Sequence, residues 1–301
     1  MRKSLFLFTI VLSVSLYGNC QKQSIFDWAK LIKANKCEEA NRLCLAFVDS
    51  PITVEKAEAQ KCFANVALCG HGIIQLQRDD AGGGTLGEGF QPDAIDEALK
   101  HLDLGIKVAP QDLSIHQGRL HILEVSARYS EMVKALDESC DIYKGKDALD
   151  AWMAYASELY DLRQYQAGLD FMKVLEKHYP DNPDVLGNIG AFLSLLKKDS
   201  EALPYLQKAV QLAPNDPINA WDLGRTYDYA GQIELADTWY QKALSLDTNT
   251  GRRKQSSCLY AIFIETKLHD RARACQLEKK DCEEDKQTAC AASPDSSTQP
   301  K

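Results

Sequence analysis

The stretch "AWDLGRTYDYAGQIELADTWYQKALSLD", Ala220 to Asp247, decides the fold. Leu223, Gly224 and Tyr227 share one helical face, and a glycine, Gly231, interrupts the pattern. A second periodic run follows, with Ala236, Tyr240 and Ala243 on one face and Leu244 beside them. Apolar positions at i, i+3, i+4 on either side of a glycine predict two amphipathic helices folded back on each other.

Working outward, the pattern recurs with an offset of 34 residues. "YPDNP" ends at Pro183 and "APNDP" ends at Pro217, and the same offset joins Gly190 to Gly224, Ala202 to Ala236 and Ala209 to Ala243. One step back it joins Trp152 to Leu186 and Ala220, and Tyr155 to Ile189 and Leu223. Pro183 and Pro217 suit the first turn of a helix, where no N–H partner is needed. Asn182 and Asp216 stand before them as N-caps. Gly190, Gly224, Ala202 and Ala236 let antiparallel helices approach closely, while Leu203, Leu206 and Val210, then Leu235, Tyr240 and Leu244, supply the inward bulk.

This resembles the tetratricopeptide repeat, a helix-turn-helix unit of 34 residues whose leucine-glycine, tyrosine, alanine, aromatic and alanine signature falls at Leu223, Gly224, Tyr227, Ala236, Tyr240 and Ala243. Thr248 stands where the family's closing proline would be. The resemblance implies an all-α fold, a right-handed superhelical solenoid of helix-turn-helix repeats over residues 25–250. The best copies are 149–182, 183–216 and 217–250. Residues 113–146 read as a divergent pair joined near Arg128 to Ser130, and "AIDEALKHLDLGIKVAP" as a second helix whose partner spans Val54 to Gln77. Residues 25–49 read as a first hairpin. A C-terminal capping helix over 253–267, within a capping region 251–285, hides the last apolar face. The polar Ser, Pro and Thr residues of 286–301 read as a disordered tail.

The insertion "DDAGGGTLGEGFQPD", residues 79–93, has five glycines, but no strand precedes it and no Gly-Lys-Ser/Thr follows. Its Asp79, Asp80 and Glu88 would repel phosphate, so it reads as a flexible surface loop open to a partner.

The N-terminus carries an address. Arg2 and Lys3 precede an apolar run from Leu5 to Tyr17, the layout of a signal peptide over residues 1–20 and too short for a comfortable span. "SLYGNC" resembles a bacterial lipobox, with departures at Tyr17 and Asn19, so lipidation of Cys20 and ordinary cleavage near Gly18 or Cys20 both stay open. The chain is thus expected to be exported: periplasmic, anchored through an N-terminal lipid, or secreted. A formal charge of −8 on 301 residues, without a basic run, argues against nucleic acid or an anionic membrane surface as partner.

Ten cysteines in an exported chain point to disulfides. Cys37 and Cys44 are seven apart, as are Cys62 and Cys69. Seven residues are nearly two turns, so each pair lies on one helix face about 10.5 Å apart. On neighbouring antiparallel helices, Cys37–Cys69 and Cys44–Cys62 form in a single register, since both pairs of numbers have the same sum. Four buried thiols, or a metal site from Cys62, Cys69 and His71, are the alternatives, although no Cys-x-x-Cys pair exists. At the C-terminal end a Cys258–Cys275 bridge across a turn near Lys267 to His269 is expected, with Cys282 and Cys290 closing a local loop and Cys140 left single.

No catalytic constellation stands out: there is no His-Glu-x-x-His and no Gly-x-Ser-x-Gly. The chain reads as non-catalytic, with no cofactor and no metal. The resemblance implies a groove, lined by the first helix of each repeat, that holds a protein or peptide. The implied contact residues are Asp150, Met153, Tyr160, Asn188, Leu195, Trp221, Arg225, Asp228 and Tyr229. The expected function is an exported scaffold or adaptor binding another envelope protein. An enzyme or metal protein using the cysteine-rich hairpin, and a purely structural envelope component, are the alternatives.

Overall fold

A computed structural model of the chain describes residues 24–69, 77–78, 84–85, 92–282 and 289–290. The signal-peptide stretch, Cys20, His71 and most of the 79–93 insertion lie outside the described residues. The chain divides into two compact units, the first ending at Tyr143 and the second starting at Lys144.

The first unit begins with a 3-10 turn, Ile25–Asp27, and α1, Trp28–Lys33. Helices α2, Cys37–Phe47, and α3, Thr53–Leu68, follow. Ile25, Leu43 and Ala59 form a small buried cluster covered by Trp28, Leu31 and Phe47. Trp28 Nε1 donates to Glu58 Oε1 at 2.7 Å, which satisfies a carboxylate that is otherwise buried. Disulfides join Cys37 to Cys69 and Cys44 to Cys62, each with Cα atoms 5.7 Å apart. The metal alternative at this hairpin therefore has no free thiolates to use.

Helix α3 stops at Leu68 rather than reaching Gln77. Cys69 turns to extended backbone (ψ 134°), and two glycines, Gly70 and Gly72, follow it. Glycine so close behind a helix end favours termination. Gln77–Arg78 pairs instead with Gly84–Thr85 as two antiparallel two-residue strands. Helix α4, Pro92–Val108, then packs on α3, and α5, Leu113–Val125, with α6, Tyr129–Ile142, completes the unit.

The second unit is built of four hairpins. They are α7, Lys146–Asp161, with α8, Tyr165–His178; α9, Pro183–Leu195, with α10, Asp199–Leu212; α11, Pro217–Tyr229, with α12, Ile233–Leu246; and α13, Thr250–Lys267, with α14, Arg271–Asp281. Asn182 accepts from the backbone N–H of Asp184 and Val185, and Asp216 from Ile218 and Asn219, so both N-caps are made. Gly190 is needed where α9 meets α10, since a Cβ there would lie 2.4 Å from Leu206 Cγ. Leu235, read from sequence as inward, is 43% exposed. It lies one residue, about 100° of helix, from the Ala236–Tyr240 stripe that faces the core.

The hairpin turns repeat more strictly than the side chains. Arg163 (φ 56°), Lys197 (φ 63°) and Gly231 (φ 74°) occupy the left-handed region at the same register. Only Gly231 announces this in the sequence, because the other two are long basic residues. Left-handed backbone costs a non-glycine residue about 1–2 kcal/mol, offset partly by glycine's greater chain entropy. Arg163→Gly is therefore expected to raise stability by up to about 1 kcal/mol, read as an upward shift in thermal midpoint; a fall would contradict it.

The C-terminal bridges differ from the sequence reading. Cys258 is bonded to Cys282, not to Cys275, and Cys275 is bonded to Cys290. The cause is register. Helix α13 persists to Lys267 and the chain reverses at His269 (φ 55°), so residues symmetric about Asp270 face each other, and Cys258 and Cys282 are such a pair. Cys290 returns along α14, where the buried Glu278 carboxylate accepts from the N–H of Ala289 and Cys290 at 2.9 and 3.2 Å. These two residues, placed by composition in the polar tail, are thus pinned to the last hairpin. Cys140 is buried within α6 and is not one of the bridged cysteines.

Asp237 of α12 ties this hairpin to its predecessor. It accepts from Arg273 Nη2 at 2.8 Å and Nη1 at 3.3 Å, and from the Tyr260 hydroxyl. Burial pushes its carboxyl up, but the bonds from Arg273 and Tyr260 outweigh that and hold it below the ordinary value of 3.8. A depressed folded pKa stabilises above the unfolded value and is lost as pH falls through the folded one. Below about pH 4 the docking of α13 and α14 is expected to weaken, seen as increased amide exchange in these helices. Asp237→Asn should remove that pH step, and an unchanged step would exclude this carboxylate as its source.

Candidate functional site

In the second unit α7, α9, α11 and α13 are the first helices of successive hairpins, and equivalent positions recur every 34 residues. Asp150, Asp184, Ile218 and Arg252 share one such position; Met153, Gly187, Trp221 and Gln255 share the next. One face of these helices is thereby assembled from residues distant in sequence.

Trp221 does not stand free. It is half-buried against Tyr240, with ring centroids 4.6 Å apart at 49°, and its remaining face walls a slot between α11 and α13. At the slot's end Arg252 donates two bonds to the buried Asp247, at 2.7 and 2.8 Å. This bidentate geometry satisfies both partners.

Arg225 lies in the wall of the face rather than on its surface. It pairs with Asp222 at 2.8 Å, with side-chain exposures of 18% and 14%. Burial works against the guanidinium's charge, but Asp222 and Tyr160 outweigh it and keep its pKa above the ordinary value. Burial raises the Asp222 carboxyl, with Arg225 opposing. Removing either partner would strand a buried charge. Arg225→Ala is for that reason a poor probe of binding.

Tyr160 is 40% exposed and packs edge-on to Phe192, with centroids 6.2 Å apart. Tyr229 is 45% exposed, with the Lys197 ammonium 4.4 Å from its ring centroid. Asp228 lies 3.9 Å from Lys267, and its carboxyl is pushed up by burial against the opposing pull of that lysine. Met153 and Leu195 are half-buried, and Asn188 spends its amide on the Asp184 carbonyl at 2.9 Å. Asp150 is exposed. Of the nine residues that the resemblance implied, Tyr160, Tyr229 and Asp150 offer the most free surface, and Trp221 offers one side.

Sequence reasoning missed Ile218, Leu259 and Ile262, which are 50%, 52% and 48% exposed. The signal existed: continuing the 34-residue register into α13 aligns the buried Ser257 and Ala261 with Leu223 and Tyr227. That alignment leaves Leu259 and Ile262 on the open side. Read only as a cap, this helix gave up its place in the face.

Residues 183–216 and 220–250 match a family model described as the tetratricopeptide repeat. No curated protein matches the chain. Among solved structures, the chain is similar to the C-terminal part of a TPR repeat-containing protein from Cytophaga hutchinsonii, at 16% identity and TM-score 0.49, over 85% of this chain and 93% of that one. It is also similar to MamA (41-end) from Desulfovibrio magneticus RS-1, at 22% identity and TM-score 0.43, over 56% of this chain and 91% of that one. YrrB, described as a TPR protein with an unusual peptide-binding site, is similar at 17% identity and TM-score 0.42, over 60% of this chain and 90% of that one.

Proposed function

The chain is a tetratricopeptide-repeat protein, a fold that serves protein interaction, and from that premise we propose that it is an exported, non-catalytic adaptor. In this reading it grips a segment of another envelope protein across the first-helix face of its second unit. The observation that carries the reading is the placement of exposed apolar bulk. Of the seven large hydrophobic side chains exposed among the described residues of this unit, five lie on first helices: Tyr160, Ile218, Tyr229, Leu259 and Ile262. Large apolar side chains concentrated on one face of a soluble unit mark a contact surface.

Export is supported by the signal-like first twenty residues and by four disulfides among the described residues, since such bridges persist in oxidising compartments. Peptide mapping of protein taken from its native cell without reductant should recover the Cys37–Cys69 and Cys44–Cys62 peptides as linked pairs. Recovering all four as alkylated thiols would remove the basis for an oxidising address.

The interaction itself is tested by photo-crosslinking. Benzoylphenylalanine in place of Tyr229 should trap a discrete partner, while the same group in place of Glu201, exposed on a second helix, should not. Equal labelling from both positions would sink the assignment of this face.

A further inference from the structure

The first-helix face carries two kinds of chemistry along one rim. The slot beside Trp221 has a volume of about 80 Å³ and is bounded by Ile218, Leu244 and Ser256, with the Asp247–Arg252 pair closing one end. That is roughly half of the ~150 Å³ cavity that accepts benzene, so it suits a branched aliphatic side chain rather than an aromatic ring. Because Asp247 and Arg252 satisfy each other, the slot does not solicit a charged group.

One repeat back from Ile218 the same position is Asp184, and one further back it is Asp150. Both are exposed, and among the described residues neither is in an ion pair. Asp216, the N-cap of α11, stands near them. Burial, then Asp216, then Asp150 push the Asp184 carboxyl above its ordinary value, with only Lys146 opposing. The rim is therefore a row in which negative charge outweighs the nearby Lys146.

Between this row and the slot the face is floored by a buried amide, Asn219. Asn219 is 4% exposed, and its side chain rests on Gly187, where a Cβ would come within 1.9 Å of Asn219 Oδ1. Gly187 holds the face position that Trp221 holds one repeat later, and it is one turn along α9 from Asp184. Among the described residues Asn219 Nδ2 has no hydrogen-bond partner, and it is closed off from solvent. Asn219 Oδ1 is the atom turned toward Gly187, so this pair closes the floor of the face between the acidic row and the slot.

We propose that this face selects an extended basic segment, one that seats a Val, Ile or Leu side chain in the slot beside Trp221 and sets a Lys or Arg against Asp184 and Asp150. The inference rests on the reading that a partner segment crosses these helices. Neighbouring helices lie about 8–10 Å apart and an extended chain rises about 3.3 Å per residue. The basic residue therefore falls about three residues from the aliphatic one, with room for a second after another three.

The test is selection from a random peptide library displayed on phage, with the intact mature chain immobilised. Wild-type protein should enrich peptides with a branched aliphatic residue and a Lys or Arg at that spacing. Ser256→Leu, which fills the slot from a half-exposed position, should lose the aliphatic preference while still favouring basic peptides. Asp150→Asn with Asp184→Asn should bind an enriched lysine peptide roughly three- to tenfold more weakly, with no change for its glutamine analogue. Peptides that are acidic, or whose binding ignores the Asp substitutions, would overturn this inference and leave the interaction face standing. A protein that enriches no peptide, and whose Tyr229 crosslinker traps no partner, overturns both.

Discussion

Phe192→Ala is expected to destabilise the second unit by about 3–5 kcal/mol. Phe192 is 1% exposed in the last turn of α9, and its ring lies directly on Gly168 of α8, where a Cβ would meet the ring carbons at 2.4 Å. Its edge faces Tyr160 of α7. Three helices thus share one ring, and one of them contributes only glycine to the contact. The cavity left by alanine cannot refill from that side, which is the condition under which truncation costs most. Phe192→Leu keeps part of the volume and should cost roughly 1–2 kcal/mol. Because the chain holds two units, the comparison is best read from amide exchange of α7, α8 and α9 in increasing urea. A loss below about 1.5 kcal/mol for the alanine variant would contradict the packing described. The same variant removes the support beneath Tyr160, so partner crosslinking from that position should fall even under conditions where the unit stays folded.

Removing both bridges of the first hairpin is expected to cost about 6 kcal/mol locally and to release α2 from α3. The two loops are nested: Cys44–Cys62 spans 18 residues, and Cys37–Cys69 encloses it with a span of 32. The inner bridge alone restricts the unfolded chain by about 3 kcal/mol. The outer bridge then closes only the short remainder, adding about 3 kcal/mol rather than the larger figure for its full span. The apolar cluster here is small, three buried residues with a few partly buried ones around them, so little else holds the hairpin. The check is amide exchange of α2 with all four cysteines replaced by alanine. Protection within about 1 kcal/mol of the native protein would show that packing, not the bridges, holds this end.

Much of this was legible in the chain itself, and for a physical reason. A repeat writes its core in the sequence at a fixed spacing, so Leu223, Gly224, Tyr227, Ala236 and Tyr240 could be read as one helical hairpin without any knowledge of neighbours. Caps are equally local: Asn182 before Pro183 and Asp216 before Pro217 need only their own next turn to act. The double bridge was legible because two pairs with equal spacing admit one antiparallel register. The C-terminal bridges lacked such a constraint. Moving the turn by a few residues, from near Lys267 to about Asp270, was enough to change the partner of Cys258.

The candidate site was less legible, because it is made between repeats rather than within one. The sequence by itself determined the hairpins, their period, the helix starts and the staples at the first hairpin, since each depends on contacts within a turn or a single helix pair. Only the tertiary structure decided that Arg163 and Lys197 take the left-handed turn that Gly231 advertises. It alone decided that Arg225 is locked to Asp222, that Asn219 lies on Gly187, and that Trp221 walls a slot completed by Ser256 of the following helix. The last two are distances across helices 30 or so residues apart in the chain, and they depend on how each hairpin rests on the next. Periodicity says which side of a helix faces inward; the stacking of neighbours decides which inward residues are used up in packing and which remain to meet a partner.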